Sequence, residues 1–367
     1  MKILNDLCTK ASSSIAQKDI ADNNGDYPIY GASGFIKKVD FFAQEKPYIA
    51  VVKDGAGVGR VMKLPAQSSV IGTMQYIIPN EGVNVSYLAY ALEHMNLAKY
   101  YTGATIPHIY FKDYCKEKMP EHTVEEQFQI ADEIAQVDNL IASRQDQLAK
   151  LDELVTSRFI ELFGEPECNP NNWEETTIGG LIQSCEAGWS GNGTQRDKKP
   201  GEIAVLKVSA VTKGYFVPEE CKVLDNQSEI KKYVFPQKGD LLFSRANTRE
   251  MVGATAVILQ DYPELILPDK LWKIRFISCA NVLYMKHILS HPSIRAKFSE
   301  ASTGTSGSMF NVSMEKFKSI VVPLPPMELQ NRFATFTEQI NNLKLEIQQS
   351  LEKLETLKKA LMQKYFG

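Results

Sequence analysis

Between residues 121 and 165 the apolar positions advance in alternating steps of four and three: Ile130, Ile134, Val137, Ile141, Leu148, Leu151 and Val155, with Arg144 as the one interruption. The spacing returns between 327 and 367 as Phe336, Ile340, Leu343, Ile347, Leu354, Leu357 and Leu361, broken only at Ser350. Such steps mark the a and d positions of a coiled-coil seam. Neither stretch contains proline or glycine before its end, and Pro323, Pro325 and Pro326 punctuate the approach to the second. Each predicts a helix of about 38 residues, roughly 57 Å long at 1.5 Å per residue. A narrow apolar stripe that occurs twice predicts that the two helices pair with each other, antiparallel, within one chain.

Elsewhere the pattern is that of short strands. Tyr48–Val52, Tyr76–Ile78, Ala204–Leu206, Leu241–Phe243 and Trp272–Phe276 are apolar or alternating runs, cut by turn signals at Asp54-Gly55, Asn192-Gly193 and Lys238-Gly239-Asp240. Helical patches at about 84–101 and 281–300 close each β-rich region. The expected architecture is α+β, with two β-rich domains carrying small helices, at 1–120 and 166–326. A long helix follows each, at 121–165 and 327–367, and the two form the antiparallel coiled coil.

The chain repeats itself. The segment "PLPPMELQNRF" at 323–333 has a weaker copy, "KMPEHTVEEQF", at 118–128. Laying Val124–Gly164 over Met327–Gly367 needs no gap and gives 13 identities in 41 positions. Among them are Glu125/Glu328, Gln127/Gln330, Leu140/Leu343, Leu154/Leu357 and the terminal Phe163-Gly164/Phe366-Gly367. Leu4–Leu7 also matches Ile178–Leu181, and Thr102-Gly103 matches Thr303-Gly304. Like frames with divergent loops suggest two modules doing one job on different targets.

Composition narrows the class. With 44% hydrophobic and 23% charged residues the chain is of globular type. The six cysteines form no Cys-x-x-Cys pair, which argues against a zinc site or a disulfide framework and for a reducing cytoplasm. No apolar run approaches the roughly 20 residues that cross a bilayer, so no membrane role is expected. The net charge of −3 is unevenly spread. Residues 121–165 carry −8 and residues 327–367 carry +1, which leaves +4 on the two globular parts. A mild positive excess permits a nucleic-acid partner without requiring one.

No catalytic set emerges. Lys53-Asp-Gly-Ala-Gly-Val-Gly-Arg60 looks like a phosphate-cradling loop, but Arg60 stands where the dinucleotide fingerprint needs its third glycine, and both flanks read as strands. A hairpin turn is the better reading. Asn169-Pro-Asn-Asn172 lacks the second proline and the aromatic of an amino-methyltransferase loop and reads as a linker turn before Trp173. The five histidines show no ligand spacing. We therefore expect no catalytic residue, no metal and no cofactor bound by this chain.

What remains are polar loops able to touch nucleic acid. Arg245, Asn247 and Arg249 follow an apolar strand, and Arg and Asn can bond guanine and adenine edges bidentately. Trp189, Asn192, Gln195, Arg196 and Lys198 lie in a cationic, glycine-bearing loop suited to phosphate contact or wedging. Thr305, Ser306, Ser308 and Asn311 offer hydroxyl and amide groups, matched in the first module by Thr105 and His108, while Lys53 and Arg60 flank its turn. For each residue alone a solvated surface loop is the better reading. As a set on duplicated modules they suggest a binding face.

These features together resemble the DNA-specificity subunit of type I restriction–modification systems. The resemblance rests on two target-recognition domains, each followed by a helix entered through Pro-Leu-Pro-Pro-x-Glu-x-Gln. That motif is clear at Pro323–Gln330 and reduced to Pro120, Glu125 and Gln127 in the first copy. Asn169-Pro170, Trp173, Lys238–Arg245 and Thr303-Gly304 add to it, whereas the first domain lacks the tryptophan before its opening strand. The resemblance implies a non-catalytic subunit that reads a split, asymmetric sequence in double-stranded DNA, one half per domain. It implies two methyltransferase (modification) subunits as partners, which hold S-adenosylmethionine, and motor-nuclease (restriction) subunits beside them. The alternative from another class is a coiled-coil adaptor whose β-rich modules bind a non-DNA ligand.

Overall fold

The computed structural model describes residues 1–103, 107–301, 303–304 and 310–367. Its contacts divide into two units, Met1–Gln147 with Glu346–Gly367, and Leu148–Leu345. Each unit holds one β-rich module and half of each long helix. No helix among the described residues is long and apolar enough to cross a membrane.

In unit 1 a four-stranded antiparallel sheet has the order β1 (Cys8–Ser12), β7 (Met74–Pro79), β4 (Tyr48–Val52), β5 (Val61–Leu64). A second sheet has β2 (Tyr27–Gly31) between β3 (Gly34–Val39), antiparallel, and β6 (Ser69–Val70), parallel. Strand β4 is buried along its whole length, which is why it reads as the continuous apolar run Tyr-Ile-Ala-Val-Val.

Unit 2 repeats the plan. Its first sheet runs β8 (Ile182–Ala187), β14 (Leu271–Phe276), β11 (Leu241–Ser244), β12 (Thr255–Val257). Its second has β9 (Ala204–Leu206) between β10 (Cys221–Leu224), antiparallel, and β13 (Leu265–Ile266), parallel, and adds Gly193–Thr194 at the β10 edge. The sequence match of Leu4–Leu7 with Ile178–Leu181 corresponds to a four-residue helix in each module.

The repeated Glu-x-Gln also has the same structural meaning twice. In unit 1, helix α1 (Val85–His94) is capped by Asn84, whose backbone N–H donates to Gln127 Oε1 at 2.9 Å. Gln127 lies in the first turn of helix α2 (Val124–Phe163), and its Nε2 donates to the His122 carbonyl. In unit 2, helix α3 (Val282–Ser290) is capped by Asn281, whose N–H donates to Gln330 Oε1 at 2.8 Å, in the first turn of helix α4 (Met327–Phe366). Gln330 Nε2 donates to the carbonyls of Pro325 and Cys279. The Tyr87 hydroxyl donates to the Pro120 carbonyl and the Tyr284 hydroxyl to the Pro323 carbonyl, so the proline-bearing strand end is pinned in both modules. Burial raises the pKa of both tyrosines.

Both 40-residue helices run through the two units, and within each unit they pack antiparallel. In unit 1 Lys358 of α4 pairs with Asp138 of α2 at 2.7 Å and with Glu93 of α1 at 3.8 Å, and Leu361 and Met362 pack against Ile130, Ile134 and Val137. In unit 2 Lys344 pairs with Asp152, and Phe333 meets the rings of Phe159 and Phe163 at 5.4 and 5.6 Å. The helix ends match as well: the Gly164 N–H donates to the Ile160 carbonyl and the Gly367 N–H to the Gln363 carbonyl. Gly164 has φ +76°, a left-handed helix cap that favours glycine.

One part of the expected seam is corrected. Ile340, Ile347, Leu354 and Leu361 face inward, with Ile130, Ile134, Val137, Ile141, Leu148 and Leu151 on the other helix, but Leu343 and Leu357 are each 47% exposed. The partly buried positions next to them are Lys344 and Lys358. Their aliphatic stems cover the seam while their ammonium groups reach Asp152 and Asp138. The apolar count followed the leucines and so slipped by one residue.

Candidate nucleic-acid interface

Strand β11 of unit 2 ends in a rigid frame. The Phe243 ring stacks on Trp272 at 5.6 Å and meets Phe298 and Phe317 at 5.1 and 4.5 Å. The Arg245 N–H donates to the Lys270 carbonyl, and the Arg245 carbonyl accepts from the Val312 N–H. Beyond it, Ala246–Asn247 pairs with Phe310–Asn311, which in turn pairs with Thr303–Gly304. Unit 1 has the same frame with less chain. The Lys53 N–H donates to the Thr73 carbonyl, the Lys53 carbonyl accepts from the Ile109 N–H, and single bridges join Asp54 to His108 and Thr102 to His108. By backbone hydrogen bonding Lys53 corresponds to Arg245 and His108 to Asn311.

Side chains at the two frames differ. In unit 1 Asp54 bonds the His108 ring and lies 3.9 Å from Lys53 Nζ; the His108 ring is 4.1 Å from Tyr110, over which Lys112 sits. In unit 2 Arg245 donates from Nε to the Asp269 carbonyl at 2.8 Å and from Nη2 to its carboxylate at 3.3 Å. Asn247 bonds Ser244 and the Thr248 N–H, and Arg249 lies over the Phe310 ring, 5.9 Å from its centroid.

The remaining candidates separate. Trp189 and Asn192 line an open cavity of about 720 Å³ with Ser190, Gly191, Ser228, Ile230 and Lys231. Arg196 is held bidentately by Glu202 at 2.7 and 2.8 Å, and this arginine and the Lys199 N–H pull the Glu202 carboxyl down to about 2. Lys198 pairs with Glu264 and Gln195 accepts from Lys207, so these three side chains are engaged within the module. Arg60 donates to the Ala32 carbonyl. The turn before it requires Gly59: its φ is +84°, and a Cβ would lie 2.4 Å from the Ala98 nitrogen. Lys53–Arg60 is thus a packed hairpin between β4 and β5, as the sequence suggested. Thr105, Thr305, Ser306 and Ser308 lie outside the described residues. Among the described residues no cluster of His, Cys, Asp and Glu is arranged to hold a metal.

Asp54, which the sequence marks only as part of a turn, and Asp269 and Ser190, which it does not single out, organise the two frames. Nothing in their spacing signals this, because Asp269 meets Arg245 only through the pairing of β11 with β14.

A family model described as the type I restriction modification DNA specificity domain matches residues 1–153 and 170–358. The chain belongs to this family. The specificity subunit of the type I restriction enzyme EcoEI of Escherichia coli is 30% identical over 165 residues, which are 44% of this chain and 27% of that protein. The EcoKI specificity subunit of E. coli K12 is 29% identical over 179 residues, 46% of this chain and 38% of that one. Each match therefore spans less than half of the curated relative. Two solved structures extend the likeness of fold over 100% and 99% of this chain. The S subunit of a type I restriction–modification system from M. genitalium superposes with a TM-score of 0.62 at 14% identity, covering 100% of this chain and 95% of that one. A chain from a structure concerned with complex assembly and conformational transition of the type I system gives 0.52 at 16% identity, covering 99% and 96%.

Proposed function

We propose that this chain is the sequence-reading subunit of a type I restriction–modification complex, each module reading one half of a bipartite, asymmetric site in double-stranded DNA. The observation that carries the reading is the duplicated strand-end frame, in which one backbone scaffold presents Lys53, Asp54 and His108 in one module and Arg245, Ala246 and Asn311 in the other. A constant scaffold with exchanged side chains is what two readers of different half-sites need. The binding candidates named from sequence belong to this proposal, those at the frames and the Trp189 cavity foremost.

The chain itself does no chemistry in this reading. Two methyltransferase subunits supply it with S-adenosylmethionine that they hold, and motor-nuclease subunits join them, all in the cytoplasm. Leu140 with Leu357 in unit 1, and Leu154 with Leu343 in unit 2, support a pair of like partners. They are exposed, identical between the helix copies, and placed alike in each unit. The −8 of residues 121–165 sets the α2 face against phosphates and toward protein partners.

The test is affinity capture of the tagged chain from its own cells, followed by DNA binding of the captured complex at several salt concentrations. Recovery of a methyltransferase, and log K falling with log salt at about −0.9 per phosphate contacted, is the expected result. Other partners, with no salt-dependent DNA affinity, would favour the adaptor reading.

A further inference from the structure

The Arg245 guanidinium is braced along one edge and open along the other. Its Nε donates to the Asp269 carbonyl at 2.8 Å and its Nη2 to Asp269 Oδ2 at 3.3 Å. Asp269 is itself held: its Oδ1 accepts from the Ser190 hydroxyl, and its N–H donates to Ser190 Oγ at 3.2 Å. Ser190 is fixed beside Trp189, whose N–H donates to the Leu267 carbonyl and against whose ring Gly191 is packed so closely that a Cβ there would lie 2.5 Å away. Among the described residues Nη1 takes no partner. The edge formed by Nη1 and Nη2 therefore keeps two outward donors in a fixed plane.

We propose that Arg245 reads a guanine in the half-site recognised by unit 2, with Asp269 and Ser190 as positioning residues that hold its open edge. This rests on the DNA-reading function proposed above. Two parallel donors match O6 and N7 of guanine, the one base whose major-groove edge offers two acceptors. A phosphate is the other ligand for an arginine fork. It is disfavoured because the Asp269 carboxylate, ion-paired to the same guanidinium, cancels its charge and would repel a phosphate brought against it. A neutral base edge meets no such repulsion. Lys53, at the corresponding place in unit 1, has a rotating ammonium in place of the planar fork. Arginine-governed guanine selection is thus expected in one half-site only.

The test uses the full chain in the complex it co-purifies with, on duplexes in which each base pair of the recognised sequence is replaced in turn. Wild type should discriminate at one G·C pair by about 5- to 150-fold, the range of a good bidentate contact. Arg245→Ala and Arg245→Lys should both flatten that position and leave the others unchanged. Asp269→Asn should weaken the same discrimination while tightening binding to all duplexes, since it removes a negative charge; damage to the fold would loosen binding throughout. Ser190→Ala should lower discrimination at that position with an unaltered melting temperature. Equal loss on every duplex with Arg245→Ala, and a salt slope smaller by about one phosphate, would mean a backbone contact and overturn the inference. So would an unchanged panel. If the wild-type complex shows no sequence preference, the DNA-reading function fails with it; if wild type selects and Arg245→Ala still selects guanine, this inference alone fails.

Discussion

Replacing Gln330 by methionine tests whether the repeated Glu-x-Gln is a structural clip. Gln330 is fully buried and makes three hydrogen bonds, to the Asn281 N–H at 2.8 Å and to the Pro325 and Cys279 carbonyls at 2.7 and 3.1 Å. Methionine keeps the length but leaves one donor and two acceptors without a partner, and such groups cost about 1–3 kcal/mol each when they stay buried. Partial relaxation and entry of water bring the expected loss to about 3–4 kcal/mol. At a urea dependence of roughly 3 kcal/mol/M the unfolding midpoint of unit 2 should fall by about 1 M. All three tryptophans, Trp173, Trp189 and Trp272, lie in unit 2, so their fluorescence reports that unit. Gln127→Met, which strands only one donor and one acceptor, should cost less and register in unit 1, by hydrogen exchange of α1, leaving the tryptophan signal in place. Glu328→Gln, at an exposed residue of the same helical turn, is the control. If Gln330→Met and Glu328→Gln gave the same tryptophan midpoint, the clip would carry no stability and the reasoning would be refuted.

Phe333→Ala, removing a fully buried ring that meets Phe159, Phe163 and His287, should destabilise unit 2 by about 3–5 kcal/mol in the same titration. Lys286, half-buried and stripped of water beside Lys344, has its pKa lowered from 10.5 to about 8. The unfolded lysine therefore holds its proton over a range where the folded one has lost it, and stability should rise as pH increases from about 8 to 10.5; Lys286→Met should remove that rise. Leu140→Glu with Leu357→Glu should abolish capture of one methyltransferase copy while the melting temperature stays within about 1 °C, since both side chains are exposed. Matched insertions of seven residues near Gln145 and Gln348 keep the heptad register; the complex should then prefer half-sites with a different gap and unchanged sequences, and an unaltered gap would rule out a ruler role for the helices.

The parts of this fold legible in the sequence were those written in local periodicity or in repetition. The steps of four and three marked both helices, and the apolar runs at Tyr48–Val52 and Leu241–Phe243 marked central strands because those strands are buried on both faces. The exposed leucines show where periodicity misleads. Lys344 and Lys358 occupy seam positions with their stems, so the count of apolar residues settled on Leu343 and Leu357 beside them. The repeat held the remedy, since it aligns Leu343 with Leu140 and Leu357 with Leu154, residues outside the first helix's own seam. The role of the glutamines was not legible, because their partners Asn84 and Asn281 lie 43 and 49 residues upstream. Among the candidate contacts, composition marked Arg196 as readily as Arg245. Only the fold distinguishes an arginine whose Nη1–Nη2 edge is taken by Glu202 from one braced by Asp269 with that edge left open.

The central claim is that two modules on one chain direct methylation to a split DNA site, and a genome-wide methylation map of its cells with and without the gene tests it most directly. The account predicts that deletion erases a single bipartite motif with a constant gap, and that restoring the gene with Arg245→Ala returns methylation with one position of one half relaxed. An identical map with and without the gene would contradict it.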